Sequence, residues 1–496
     1  MFDSRYQTIF LIGFAAYMSI QIFIGFLASR KKNEGEDFLT GGRKIPLALV
    51  FATVGATLVG TNSSIGVISN AFQRGYAVMI FVFGGLIGLL SMRIFISARD
   101  KNFLTMSEEA QYYFGGNRAI RYVMGCIMFL VEIAWLGNHI NGGGIYLSYV
   151  TGMNFTLAKL VILVAFSIYI FIGGYLAVVW TDTIQYSLLL VGFAIIAVSA
   201  VPYAGGMSAI NAAFSARAAA NAGAPSAGPS VIIQVLALTT ATTMGIIGTP
   251  THRTRIYTAK DAKTARRAFT MNAVLLSAYG ILPVLIGMSA YTIATANNAT
   301  AILERPDFAF AYMATTVLGP MFGLFLLVAG MASTISAGDS DALAGVTILV
   351  TDIYPAVTKR QIAKKDYVKY SRVFLVVVIA LSFLMTLMAR DIISYITRVI
   401  GALIPGIAVT MLLGKLMKRA TWQGGLAAVL SGTVFGFIYL FVPPVSDAVT
   451  MVIGGPAIPA AIISLVSGIG VSLFTPRNTV SEEDALAAVI ACRRTD

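Results

Sequence analysis

The chain has 496 residues, of which 57% are hydrophobic and 11% charged, with a mean hydropathy of +0.81 and a formal net charge of +13. Apolar runs of about 20 residues, the length that crosses a bilayer as a helix, recur nearly end to end, which excludes a soluble multidomain protein. The positive charge lies almost wholly in short loops between these runs, so it reads as topology information and not as a nucleic-acid surface.

The runs predict an all-α polytopic membrane protein with about thirteen transmembrane helices, near 8–28, 45–71, 76–96, 120–149, 156–175, 181–203, 231–250, 267–298, 316–351, 369–388, 391–416, 422–442 and 452–474. The first has no basic segment before it and is followed by Arg30, Lys31 and Lys32, which fits a retained span better than a cleaved signal peptide. The connections Arg30–Lys44, Arg93–Arg121, Arg253–Arg267, Lys359–Arg372 and Lys415–Arg419 hold most of the basic residues, and they alternate along the chain. The positive-inside rule then predicts an N-terminus outside, a C-terminus in the cytoplasm and residence in the cytoplasmic (inner) membrane. Two other loops, 205–230 and 297–306, read as flexible or short surface helices, with an outer lid as the alternative. Two cysteines, Cys126 and Cys492, provide neither a disulfide framework nor a metal cluster.

The second span carries VGATLVGTNSS at Val54–Ser64, two glycines and four hydroxyls inside an apolar run. Polar, glycine-broken backbone at membrane depth is tolerated only where protein or a watery cavity surrounds it. A comparable stretch, TTATTMGIIG at Thr239–Gly248, interrupts the seventh span. Small residues also serve close helix packing, but two breaks five spans apart predict the inverted repeats of a secondary transporter. Residues 1–476 then form one transporter domain, followed by a tail at 477–496. The domain has a leading helix at 8–28, one repeat at about 45–203, a second at about 231–416 and trailing helices at about 422–474.

Carboxylates in membrane helices are costly and mark function; Glu132, Asp182, Asp339 and Asp341 lie in predicted spans. On the ninth span Ser333, Ser336, Asp339 and Ser340 share one face at helical spacing, and such oxygens suit a hard cation. Asp341 points elsewhere, towards a basic partner on another span. Glu132, Trp135 and His139 form one stripe on the fourth span, fit either to contact a polar or cationic solute or to knit helices together. Asp182 sits where it would cap the sixth span. Arg398, with Tyr395, is placed to clamp a substrate carboxylate or to neutralise a buried acid. No catalytic His pair or nucleophile motif points to an enzyme.

These pieces together resemble the sodium:solute symporters. The resemblance rests on GGR at Gly41–Arg43, the Gly55–Gly60 core, GGYLAVVWTDTIQ at Gly173–Gln185 and ISAGDSDALAGVTILVTDIY at Ile335–Tyr354. It implies a five-plus-five inverted-repeat core with one leading and two trailing helices, importing a small organic solute with sodium by alternating access. It maps the main sodium site onto the carbonyls of Ala56, Val59 and Ser333 and the hydroxyl of Ser336, with Ala337 where a second hydroxyl is usual. A second site maps onto Asp182, Asp339 and Ser340, and substrate positions onto Gly60, Ser63, Trp135 and Tyr395–Arg398, with Asn62 beside them. The expected solute is a carboxylate or amino acid; a choline-like cation held by Glu132 and Trp135, or proton coupling, is the alternative. A passive channel or membrane sensor is the reading from another class. Sodium is the expected coupling ion, with no cofactor, nucleic acid or obligate protein partner.

Overall fold

The computed structural model describes residues 4–29, 35–220, 231–387 and 401–493, and among them every regular element is helical. Helix α1 spans Ser4–Ser29. The second span is split into α2 (Leu47–Leu58) and α3 (Val67–Arg74). After α4 (Ile80–Ser91) and the short α5 (Met106–Tyr113) come α6 (Arg118–Thr151), α7 (Phe155–Tyr203) and α8 (Gly206–Ala220). The seventh span is α9 (Val231–Gly248) and α10 (Pro250–Thr258), followed by α11 (Ala262–Tyr279) and α12 (Ile281–Ala296). The long α13 (Gly319–Ile348) and α14 (Tyr367–Thr386) precede α15 (Gly401–Leu416), α16 (Trp422–Phe441), α17 (Ala457–Phe474) and the tail helix α18 (Glu482–Ala491).

Nine described helices are long and apolar enough to cross a membrane, and the bent α9–α10 pair makes a tenth. Shorter apolar helices at Leu47–Leu58, Phe155–Ala165 and Gly401–Leu416 lie in further expected spans. Tyr395 and Arg398 lie outside the described residues.

Local chemistry sets the boundaries. Asn117 and Asn154 cap the starts of α6 and α7, accepting from Ala119 N–H at 2.8 Å and Thr156 N–H at 2.9 Å. Within α7 the backbone turns at Gly174, whose φ of 58° and ψ of −149° are open only to glycine; a β-carbon there would also lie 2.6 Å from the Phe38 carbonyl oxygen. This turn corrects the start of the sixth span. Asp182 is not a cap: it stands two turns inside the helix and is fully buried.

The seventh span breaks later than its glycine and threonine content predicts. α9 runs unbroken to Gly248, and the chain bends by 45° into α10. The cause is Pro250, which lacks an N–H and forces Thr249 into extended backbone (φ −85°, ψ 120°) before restarting the helix at its first position. Arg253 and Arg255 therefore belong to a buried half-helix and not to a basic loop. Lys260, Lys263, Arg266 and Arg267 beyond them remain exposed.

The tail helix is capped by Ser481, whose hydroxyl accepts from Asp484 N–H at 3.1 Å, and it docks on α5. Tyr112 donates to Glu482 at 2.7 Å, and Arg493 pairs with buried Glu108. Glu108 also accepts from Arg121 at 3.0 Å, and Arg121 bonds Asp352 at 2.8 Å. Burial pushes the Glu108 carboxyl up, but Arg493 and Arg121 outweigh it and hold the group at about 2.

A charge-assisted bond of this kind is worth about 1.5 kcal/mol or more. Arg493→Ala is therefore expected to make the tail helix about tenfold more susceptible to limited proteolysis while leaving the membrane core intact; unaltered protection would show that the ion pair does not hold the tail.

Candidate functional site

The first break lies at Val59–Gly60. Val59 has φ −93° and ψ 49°, outside the helical range, and a π-helical turn at Asn62–Gly66 leads into α3. Gly60 is pressed between two helices: a β-carbon there would stand 2.5 Å from His139 Cε1 and 2.8 Å from the Ala337 methyl. The groups freed by the break find partners nearby. Ser63 donates to the Leu58 carbonyl at 2.6 Å and Ser64 to the Gly60 carbonyl at 2.8 Å. Ser64 and Ser333 hydroxyls meet at 3.1 Å. Asn62 and Ser63 are half-buried on this turn.

Opposite the break, α13 supplies Ser336, whose hydroxyl reaches the Ala56 carbonyl at 3.2 Å and the Ser333 carbonyl at 3.4 Å. Two carbonyls and a hydroxyl from two helices thus converge on one buried point. Such neutral oxygens are the donors a hard monovalent cation takes in place of water. The Ala337 methyl packs on Gly60 at this same contact, where the resemblance leads one to expect a hydroxyl.

A second cluster lies one turn deeper. Thr53 donates to Asp182 Oδ2 at 2.5 Å, and Asp182, Thr57 and Ser340 face one another across α2, α7 and α13. Arg255 enters this space from α10. Its Nη2 lies 3.6 Å from Asp182 Oδ2 and 2.8 Å from Thr57 Oγ1, and it donates to Ser340 Oγ. Asp339 joins through Ser340, whose hydroxyl lies 3.3 Å from Asp339 Oδ1. The second set of predicted ligands is therefore assembled, around a guanidinium.

The third cluster joins α6, α10 and α13. Glu132 accepts from the Thr251 N–H at 3.0 Å and faces the Thr251 hydroxyl at 2.6 Å; the same hydroxyl lies 2.8 Å from Asp341. Asp341 meets His139 Nε2 at 3.2 Å, so its expected basic partner is the imidazole. His139 Nδ1 faces the Thr61 N–H at 3.3 Å, and Trp135 stacks on the ring with centroids 6.1 Å apart. The indole donates to Thr249 at 3.1 Å, so both breaks touch this stripe.

Thr61, Thr251 and Arg255 are central here and carry no advance notice as site residues. Arg255 had one available signal, since Pro250 fits the first position of a new helix, which places the arginines after it on a helix and not in a loop. The hydroxyls had none, because threonine in a membrane helix most often bonds its own i−4 carbonyl.

A family model for the sodium:solute symporter family matches residues 38–432. Among solved structures, a sodium-coupled sialic acid symporter in a substrate-bound outward-open state superposes with a TM-score of 0.77 at 18% identity, covering 96% of this chain and 99% of that one. Mhp1, a nucleobase-cation-symport-1 family transporter in a closed conformation, superposes at 0.55 with 13% identity, covering 92% and 99%.

Removing one partner of a buried ion pair leaves an uncompensated charge, at about 3–5 kcal/mol. Arg255→Ala is expected to lower the melting temperature in detergent sharply, and adding Asp182→Asn to restore most of it. A double variant no more stable than Arg255→Ala would show that the two charges do not compensate each other.

Proposed function

The chain belongs to the sodium:solute symporter family, and from that premise we propose that it imports a small carboxylate-bearing solute, such as an amino or organic acid, with sodium by alternating access. The observation that carries this reading is the convergence of the Ala56 and Ser333 carbonyls on the Ser336 hydroxyl at the first break. Sodium entering there takes these oxygens and the Val59 carbonyl as ligands, with Asp339 one turn away supplying negative charge. Because α2 and α13 each contribute only part of the set, the ion is held well only when the two helices are together. That is differential affinity for one conformation, which is what an ion needs to drive a conformational cycle. Each charge moving inward through 100 mV releases about 2.3 kcal/mol.

In this reading one sodium moves per cycle. The positive charge that Asp182 requires is already tethered to the chain as Arg255.

Two contacts weigh against the organic-cation alternative. Glu132 is turned to Thr251 and the neighbourhood of Asp341, and Trp135 to Thr249. A carboxylated solute is assigned instead to the turn at Gly60, Asn62 and Ser63, with Tyr395 and Arg398 as its clamp. The sialic acid symporter with the same fold handles a sugar acid, which supports this class. The loop charges support an N-terminus outside and a C-terminus in the cytoplasm, in the inner membrane.

In a thermal-shift screen, amino and organic acids are expected to stabilise the protein only with sodium present, and Ser336→Ala is expected to abolish this sodium-dependent stabilisation together with sodium-driven uptake in proteoliposomes. Stabilisation by quaternary ammonium compounds alone, or undiminished sodium dependence in Ser336→Ala, would refute the assignment.

A further inference from the structure

The cluster on α6, α10 and α13 contains a proton that ordinary charge assignments omit. Thr251 Oγ1 lies 2.6 Å from Glu132 Oε2 and 2.8 Å from Asp341 Oδ1. A hydroxyl has a single proton. It donates to one of these carboxyls and has only lone pairs to offer the other, so the other must itself carry a proton and donate it. The two remaining carboxyl oxygens already receive donors, from Thr251 N–H at 3.0 Å and from His139 Nε2 at 3.2 Å.

The imidazole tautomer follows in the same way. A backbone N–H only donates, so His139 Nδ1, 3.3 Å from Thr61 N and 2.9 Å from the Thr61 hydroxyl, which can donate to it as well, is the acceptor, and the ring proton is assigned to Nε2. Glu132 and Thr251 are fully buried, Asp341 is 3% exposed and His139 5%. The other charged or titratable groups facing the cluster come from α10. Arg255 Nη1 lies 3.4 Å from the Thr251 carbonyl, and His252 turns its Nδ1 to the Ile246 carbonyl at 3.2 Å. From α14 the group packed against this part of α6 and α13 is the apolar Val378.

We propose that Glu132, Asp341 and Thr251 form a proton-binding site that holds one exchangeable proton, with His139 linking its state to the first broken helix. The proton passes between Glu132 Oε2 and Asp341 Oδ1 by reversal of the two hydrogen bonds at the Thr251 hydroxyl, with no net change of charge. The site exists only while α10 lies against α6 and α13. When the half-helix withdraws, it takes the Thr251 hydroxyl and N–H with it and lets water reach the two carboxyls, the mutual repulsion that kept one of them neutral is screened, and the proton is free to leave. The site therefore binds a second coupling ion, a proton, and it stands whether or not sodium occupies the oxygens at Ala56.

The test is infrared difference spectroscopy of the purified, reconstituted full-length protein at neutral pH. Subtracting Glu132→Gln from wild type is expected to leave one protonated-carboxyl C=O band that moves in heavy water. Asp341→Asn is expected to remove that same band, because either substitution ends the need for the shared proton. Thr251→Val is expected to keep the band and shift it, since the acid remains beside a carboxylate but loses its hydroxyl partner. This third variant also serves where one carboxamide variant does not fold. A band present with either carboxamide substitution, no band in wild type, or an unshifted band in Thr251→Val would overturn the proposal.

Discussion

A main chain broken inside a low-dielectric medium must find new partners for every group it frees, and the architecture around Gly60 follows from that constraint. The Leu58 and Gly60 carbonyls are met by hydroxyls of the break itself, Ser63 and Ser64. The Ala56 carbonyl and the Thr61 N–H are met from outside, by Ser336 on α13 and His139 on α6. Both helices must therefore press against the break, and small residues allow it. A β-carbon at Gly142 would lie 2.5 Å from the Thr61 hydroxyl, and one at Gly338 would lie 3.1 Å from His139 Cβ. The same donors and acceptors that satisfy the break in this state are those an ion or solute can exchange for its hydration shell.

The buried charges extend this logic outward from the break. Asp182 is neutralised by Arg255 from the second half-helix, and Asp341 is joined to His139 and, through Thr251, to Glu132. The Arg255 and Thr251 contacts cross from a broken helix to its neighbours, and the Asp341–His139 contact joins two continuous helices beside them. Contacts within a single rigid element would persist through a conformational cycle, whereas contacts of a broken helix with its neighbours would be lost on any movement of the half-helix. A buried pair is poor insulation against cost but a good switch, because separating its members is strongly unfavourable unless water or an ion replaces the partner.

Much of this was legible in the sequence, and the reasons differ by residue. Nine of the described helices, and a tenth as a bent pair, follow from hydropathy alone, and the first break from glycines and hydroxyls crowded into an apolar run. Ser333, Ser336, Asp339 and Ser340 share a face because a helix has a fixed period, and α13 holds them on its bundle-facing side. The second break was misplaced because threonines and glycines signal tolerance of a bend, while the bend itself is forced by Pro250. That misplacement hid Arg255, which counted as a loop charge once the span was taken to end at residue 250. The carboxyl cluster was out of reach for another reason: Glu132, Thr251 and Asp341 are more than eighty residues apart from one another in the chain and meet only in three dimensions.

On the proposed function the chain binds sodium at one place, the first break, because Arg255 already fills the charge requirement at Asp182. Equilibrium binding of radioactive sodium to the purified protein tests it most directly. One ion per chain is the predicted count, falling to none in Ser336→Ala; two ions per chain in the unaltered protein would contradict it.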